Sequence, residues 1–462
     1  MTTQDRLLDL LHRLINKGTQ QQFNLLFHKY HEADIAEALQ KLPSELKVLF
    51  FSRLKSNRSV DVFEEMDMDS QIEIIQSFKS EFAAGLIEKM DKDDGVDLLE
   101  ALLDENQDKA KEILSKMDMD DQIELNKLLN YKEDSAGALM NTEFVSIPEK
   151  LYVKEALKNY IDKSPKESDA AFYLFIVNEF NQIKGVISIR KLLLANPDIL
   201  VSEIRNSYPI KVNVNTDQED VANLFQKYRS IVLPVVDDLD IILGVITIDD
   251  VVDVVVEEAY VDMLKLSGTS GDDIQNDKLI QGSIFYSLLH RMPWLFVTII
   301  GGVIASTIML HYAPKLTYEW ISLSFILSFV PLLMGLGGNI GNQSATILVR
   351  ALALSNLDRN EKIKIIVREL GIGGVIGLVI GLVVSGYVYI ISQNVVMAFC
   401  IGVSIFVNMG FASVLGASLP IVLKSLKIDP AIASAPFISS TLDIIGQLIY
   451  FTTIILLFNW LV

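Results

Sequence analysis

The sequence predicts a multidomain chain of three parts: an all-α helical-repeat domain, an α/β domain of two tandem units, and a membrane domain of five α-helices. Three observations carry this. An acidic motif recurs through the first 130 residues, a strand–turn–strand–helix pattern occurs twice in the middle, and long apolar runs fill the C-terminal part. Charge divides the chain in the same way. Residues 283–462 carry 6 acidic and 9 basic side chains, whereas the residues before them carry 53 and 31, a net of −22. So acidic a half repels nucleic acid and anionic lipid, and it attracts cations.

The first part, residues 1–133, is built on a repeat. MDMDSQIE at Met66–Glu73 returns as MDMDDQIE at Met117–Glu124, with MDKDDGVD at Met90–Asp97 between them and a weaker copy, LPSELKVL, at Leu42–Leu49. A spacing of 24 to 27 residues fits one helix pair per copy, and hence a superhelix. An Asp or Ser in each copy suits a helix N-cap, so most of these carboxylates are caps or solvated faces. Asp93 and Asp97 lie one helical turn apart on one face and form a candidate cation-ligand pair.

The second part, residues 134–248, is internally duplicated. FYLFIVNEFNQIKGVISIRKLLL from Phe172 matches IVLPVVDDLDIILGVITIDDVVD from Ile231, each copy preceded by an extended segment and a helix. This order resembles a pair of CBS motifs, βαββα units that dimerise and often bind adenine nucleotides.

Residues 249–282 form an acidic connection. Asp250, Asp253, Glu257, Glu258 and Asp262 crowd one predicted helix, with no basic residue before Lys265. Like charges at such spacing destabilise a helix. A counter-cation reverses that penalty; a merely solvated face is the alternative.

Residues 283–462 contain apolar runs at about Trp294–His311, Trp320–Met334, Leu370–Ile391, Val395–Leu423 and Ala431–Val462, each near the length of a membrane helix. Pro331, Pro420 and Pro436 mark expected helix breaks. Basic residues collect between Arg350 and Arg368 and at Lys424 and Lys427. The positive-inside rule then places the N-terminus in the cytoplasm and the C-terminus outside, in agreement with an N-terminal segment that lacks a signal peptide's apolar core. Gly373, Gly377, Gly381 and Ser385 recur every four residues, a seam for close helix contact within or between subunits. The single cysteine, Cys400, excludes a disulfide framework.

Asp443 is the carboxylate expected well inside a span, where an ionised Asp costs about 2.5–3.5 kcal/mol on insertion scales. With no Lys or Arg inside the expected spans, a bound cation or a wet pore answers that cost better than a salt bridge. Asn339 and Asn342 in GLGGNIGNQSA are expected to line the path beside Gln343 and Ser344; Asn408 serves either as pore lining or as helix glue. One carboxylate with neutral oxygens, and no Cys or His, suits a hard cation that keeps its water, magnesium above all. Two subunits could each contribute one Asp443.

The order of these parts, with DSAGALM at Asp134–Met140, GGNIGNQSA at Gly337–Ala345 and DPAIASAP before Asp443, resembles the MgtE family of magnesium transporters over essentially the whole chain. The resemblance implies a homodimer in the cell membrane that conducts Mg2+ at Asp443 and is held closed by Mg2+ on its cytoplasmic domains. It assigns regulatory ligands to Asp93, Asp97, Glu219, Asp250, Asp253, Glu258, Asp262 and Asp429. Arg229 and Val261 stand where the family can carry acidic ligands, which implies a lost or replaced site. Lys191 and Ser230 stand where some members contact ATP through acidic and aromatic residues, which argues against nucleotide binding. A carrier coupled to Na+ or H+ and a non-transporting membrane scaffold are the rival readings. No nucleophile–base pair or phosphate loop argues for an enzyme.

Overall fold

In the computed structural model, the residues described are 3–54, 57–163, 172–206, 209–269, 283–316, 323–354 and 358–461. Residues 270–282 of the connection, the expected start of the second span at Trp320, and Val462 lie outside them. The chain forms two units, Met1–Val256 and Glu257–Val462.

The first unit begins with short helices that pair along the expected repeat. Met68–Ser77 is followed by Ser80–Ile87, Lys92–Glu105 by Gln107–Leu114, and Met119–Leu128 ends the series. Each pair buries an apolar face, with Ile74, Ile75, Leu98, Leu99 and Ile113 fully enclosed. The capping differs from the expectation. Asp67 does accept from the Ser70 backbone, but the helices that begin after Asp91 and Asp118 use the preceding repeat. The Asp91 N–H donates to Glu64 Oε1 at 2.8 Å and the Asp118 N–H to Glu88 Oε1 at 2.7 Å. Buried lysines bind successive repeats in the same way. Lys47 Nζ reaches Ser70 and Glu73, and Lys92 Nζ reaches Asp121 at 2.9 Å.

The tandem units follow. β1 (Val145–Pro148) runs parallel to β2 (Tyr173–Val177), which pairs antiparallel with β3 (Ile183–Ser188). β4 (Val212–Asn213), β5 (Val232–Val236) and β6 (Ile242–Thr247) repeat that order. The central strands read YLFIV and VLPVV because a strand covered on both faces needs apolar, mostly branched side chains throughout. The two halves lock reciprocally at their hairpin tips. Ile183 N–H donates to Asp240 O and Ile242 N–H to Asn181 O, and both acceptors hold left-handed backbone, which Asn and Asp tolerate best. Gly185 and Gly244 are equivalent as well: a Cβ at either would strike a backbone carbonyl, of Asn206 or of Asn141.

The connecting helix, Ile248–Leu266, gives its first part to this unit and its last part to the second. The second unit holds five apolar helices long enough to cross a membrane: Ile284–Leu316, Leu323–Leu352, Arg359–Ser392, Val395–Ser425 and Ala435–Leu461, called spans one to five. Span two is broken at Ser328–Phe329, just before Pro331, and Pro436 starts the helix of span five. Pro420 lies inside an unbroken helix, contrary to expectation. The glycine seam of span three packs within the chain. A Cβ at Gly373, Gly377 or Gly381 would meet carbonyls of span four at 2.7–2.8 Å, and Ser385 Oγ donates to Ala398 O.

Candidate functional site

Most of the carboxylates picked out in the sequence fall into two groups, one in each unit. In the first unit, the start of helix Lys92–Glu105 meets the start of the connecting helix. Asp93 is raised well above the ordinary carboxylate range by burial, then by Asp250, Asp94 and Asp91; Asn141 Nδ2 donates to its Oδ1 at 3.4 Å. Asp94 is exposed to solvent as a residue, yet the crowding of its carboxyl, followed by Asp250 and Asp91, pushes it up to about 7. Asp250 rises to about 6, chiefly through burial, although Thr247 donates to its Oδ2. Asp253 adds to the field on Asp94. Glu64 is raised to about 8, by burial first. Such clustering of like charge is costly unless protons or a cation neutralise it, and an all-oxygen donor set suits a hard divalent ion.

Two sequence candidates stand apart from this cluster's centre. Asp97 is partly buried one turn further along its helix, and Glu219 is exposed in the first turn of Gln218–Tyr228. Neither is a chief neighbour of Asp93, Asp94 or Asp250. Sequence spacing missed Asp91, Asp94, Asp249 and Glu64. The signal was present in MDKDDG, but four-residue spacing favours the 93/97 face, whereas the first turn of the helix faces Asp250.

The second group lies in the second unit. Asp262 is raised by burial and then by Asp429, with Glu258 adding and Lys265 opposing. Lys265 Nζ donates to Asp429 Oδ2 at 2.9 Å. An internal ammonium thus already sits among three carboxylates that the sequence assigns to a cation. Arg229 ends its helix in left-handed backbone, and Ser230 Oγ donates to Val232 O.

A third set, Glu88, Asp118 and Asp121, brings carboxylate oxygens within 4.8 Å of one another. These groups are already engaged, Glu88 by the Asp118 backbone and Asp121 by buried Lys92.

The ion-path residues lie on spans two and five. Asn342 Nδ2 donates to Ser439 Oγ at 3.2 Å, one turn before Asp443 on span five. Asn342 Oδ1 is buried without a hydrogen-bond partner among the described residues. A cleft beside it is lined by Asn339, Asn342, Gln343, Thr346 and Ile347. Asp443 is half-buried, and among the described residues it takes part in no ion pair. Asn408 is glue between spans, its Nδ2 donating to Gly446 O at 3.0 Å. Asp443 is not alone among membrane carboxylates. Span three begins eleven residues earlier than expected and includes buried Glu369.

Comparison with known proteins covers the same parts. The divalent cation transporter model MgtE matches residues 330–453, the MgtE intracellular N domain matches 30–134, and the CBS domain matches 136–198 and 201–257. The chain is 32% identical to the magnesium transporter MgtE of Thermus thermophilus and 29% to that of Bacillus subtilis, over 97% of each chain. It is 33% identical to the Enterococcus faecalis magnesium transporter MgtE over 71% of this chain and 70% of the relative. Among solved structures, the soluble part of a magnesium transporter superposes with a TM-score of 0.52 at 29% identity, over 55% of this chain and 99% of that one. The cytosolic domain of the Mg2+ channel MgtE, solved in complex with ATP, gives 0.50 at 29% identity over 54% and 99%.

Proposed function

The chain belongs to the MgtE family of divalent cation transporters, and from that premise we propose that it conducts Mg2+ across the cell membrane and is closed by Mg2+ bound on its cytoplasmic side. The observation that carries the reading is the juxtaposition on spans two and five. An intramembrane carboxylate, Asp443, stands one turn from an Asn342–Ser439 contact whose amide oxygen is buried and has no hydrogen-bond partner among the described residues. A cation crossing there gains a charge and neutral oxygens while keeping part of its water shell, as magnesium requires. A single carboxylate beside the Asn342 cleft in each chain supports a homodimer in which two Asp443 side chains share the ion.

The two acidic groups supply the control. With Mg2+ bound, the Asp93/Asp94/Asp250/Asp253 group and the Glu258/Asp262/Asp429 group lose their mutual repulsion, which favours the closed arrangement. As Mg2+ falls, repulsion returns and the connecting helix is released. In this reading Asp97 and Glu219 are outlying ligands. Residues 1–133, 134–248 and 249–282 face the cytoplasm, residues 283–462 carry the path, and the C-terminus is outside.

Mg2+ uptake into vesicles reconstituted with the full chain, wild type against Asp443→Ala, tests the proposal. We expect uptake with wild type and its loss in the variant. Equal uptake by both would move the path away from Asp443.

A further inference from the structure

Glu369 lies in the first third of span three and is 9% exposed. Its Oε2 accepts from Ser344 Oγ of span two at 2.6 Å and from Ser413 Oγ of span four at 2.9 Å. The two hydroxyls are 3.1 Å apart, and Ser413 Oγ also lies 2.9 Å from the Glu369 carbonyl. Both serines are buried. Among the described residues, Glu369 is therefore held by hydroxyls rather than by a basic side chain. A carboxyl inside a membrane domain is costly and is retained where it has work to do.

The place of Ser344 indicates what is being held. It follows Asn342 by two residues, and it turns into the bundle while Asn339, Asn342, Gln343, Thr346 and Ile347 line the cleft. Toward spans three and four the neighbouring contacts are made by small residues, Gly341 against Gly416 and Gly373 against Ser413, while Leu442 and Ile438 of span five also press on Gly341. On that side the Glu369 contact opposes rotation of span two about its axis, as the Asn342–Ser439 hydrogen bond does on the side of span five. A turn of about 20° swings a side chain at a radius of about 5–6 Å by roughly 2 Å, several times the difference in oxygen distance between magnesium and calcium sites.

We propose that Glu369 is a positioning residue for ion selection: through Ser344 and Ser413 it fixes the rotation of span two, and so the placing of Asn339 and Asn342 toward the cleft. The assignment rests on the transport reading above. Reconstituted wild type, Glu369→Gln, Glu369→Ala and Ser344→Ala are compared for the ratio of Mg2+ to Ca2+ flux, after gel filtration in detergent to establish folding. Glu369→Ala, which removes the acceptor of both hydroxyls, should lower the ratio by on the order of tenfold, about what one or two hydrogen bonds are worth. Glu369→Gln, which keeps an acceptor for Ser344, should restore most of it, and Ser344→Ala should shift it in the same direction as Glu369→Ala. A folded Glu369→Ala with an unchanged ratio overturns the proposal. So does equal damage in Gln and Ala, which would assign the role to charge alone. Should Glu369→Ala misfold, an unchanged ratio in Ser344→Ala overturns it as well. A wild type that carries no Mg2+ sinks the transport reading instead.

Discussion

Asp94 and Asp250 are the residues at which the proposed sensor is most exposed to test. Both carboxyls are held above the ordinary range of an aspartate, at about 7 and about 6. Between the unfolded and folded values the native state binds more protons than the unfolded chain, so these groups make stability fall as pH rises from about 4 to about 7. Other carboxylates act in the opposite sense. Glu73, whose carboxyl is lowered first by the Ser44 hydroxyl, contributes stability that is lost on acidification. The diagnostic is thus the difference between wild type and Asp94→Asn or Asp250→Asn in the thermal midpoint, measured without Mg2+ from about pH 5 to about pH 8. Each Asn variant should gain on wild type as pH rises, and added Mg2+ should erase the gain. Parallel profiles would remove these residues from the sensor. At this scale the sequence was only partly legible. Asp93, Asp250 and Asp443 were readable as costly charges, but Asp94 and Glu369 were not. Their significance depends on which carboxylate or hydroxyl faces them across a helix contact, and spacing along one chain does not contain that.

Among the elements, the connecting helix and the span three–span four seam carry separate expectations. Lys265 ties the connecting helix to Asp429, next to Asp262. Replacing it by Gln leaves three carboxylates to be neutralised by the bound ion alone. Lys265→Gln should therefore stay open to higher Mg2+, read as residual flux at concentrations that close the wild type. Closure at unchanged Mg2+ would make the pair a bystander. In the seam, a Cβ at Gly381 would stand 2.7 Å from the Gly402 carbonyl. Gly381→Val should force the helices apart at a cost of about 1–3 kcal/mol, seen as a lower thermal midpoint in detergent; an unchanged midpoint would show that the seam can give. The glycine spacing was plain in the sequence. Its partner was not, since small residues promise a close contact without saying with which helix. The repeat caps were hidden for a similar reason: Glu64 and Glu88 cap helices some thirty residues later, beyond any local motif.

For the molecule as a whole, periodicity and hydropathy made the architecture legible. Repeat spacing, duplicated strand patterns and apolar length are properties of long stretches, and they survive errors at single positions. Spans one and three nonetheless begin earlier than apolar length implies, because polar turns such as Arg359–Arg368 continue the helix beyond the apolar run. The proposed regulation predicts that Mg2+ protects the full-length protein from limited proteolysis in the residues before Ser283, by relieving repulsion in both acidic groups. Equal digestion with and without Mg2+ would separate transport from sensing.

The crossed hydrogen bonds between the hairpin tips at Asn181 and Asp240 bear on how this protein can be modified. Surface hairpins are ordinarily where a chain best accepts extra residues. Here each tip supplies the carbonyl that closes the other copy, so one inserted residue shifts an acceptor away from Ile183 or Ile242 in the opposite half. Loop length at both tips is therefore fixed by mutual fit. A tag or fluorophore placed at one of them would perturb both halves together, so such labels belong elsewhere on the chain.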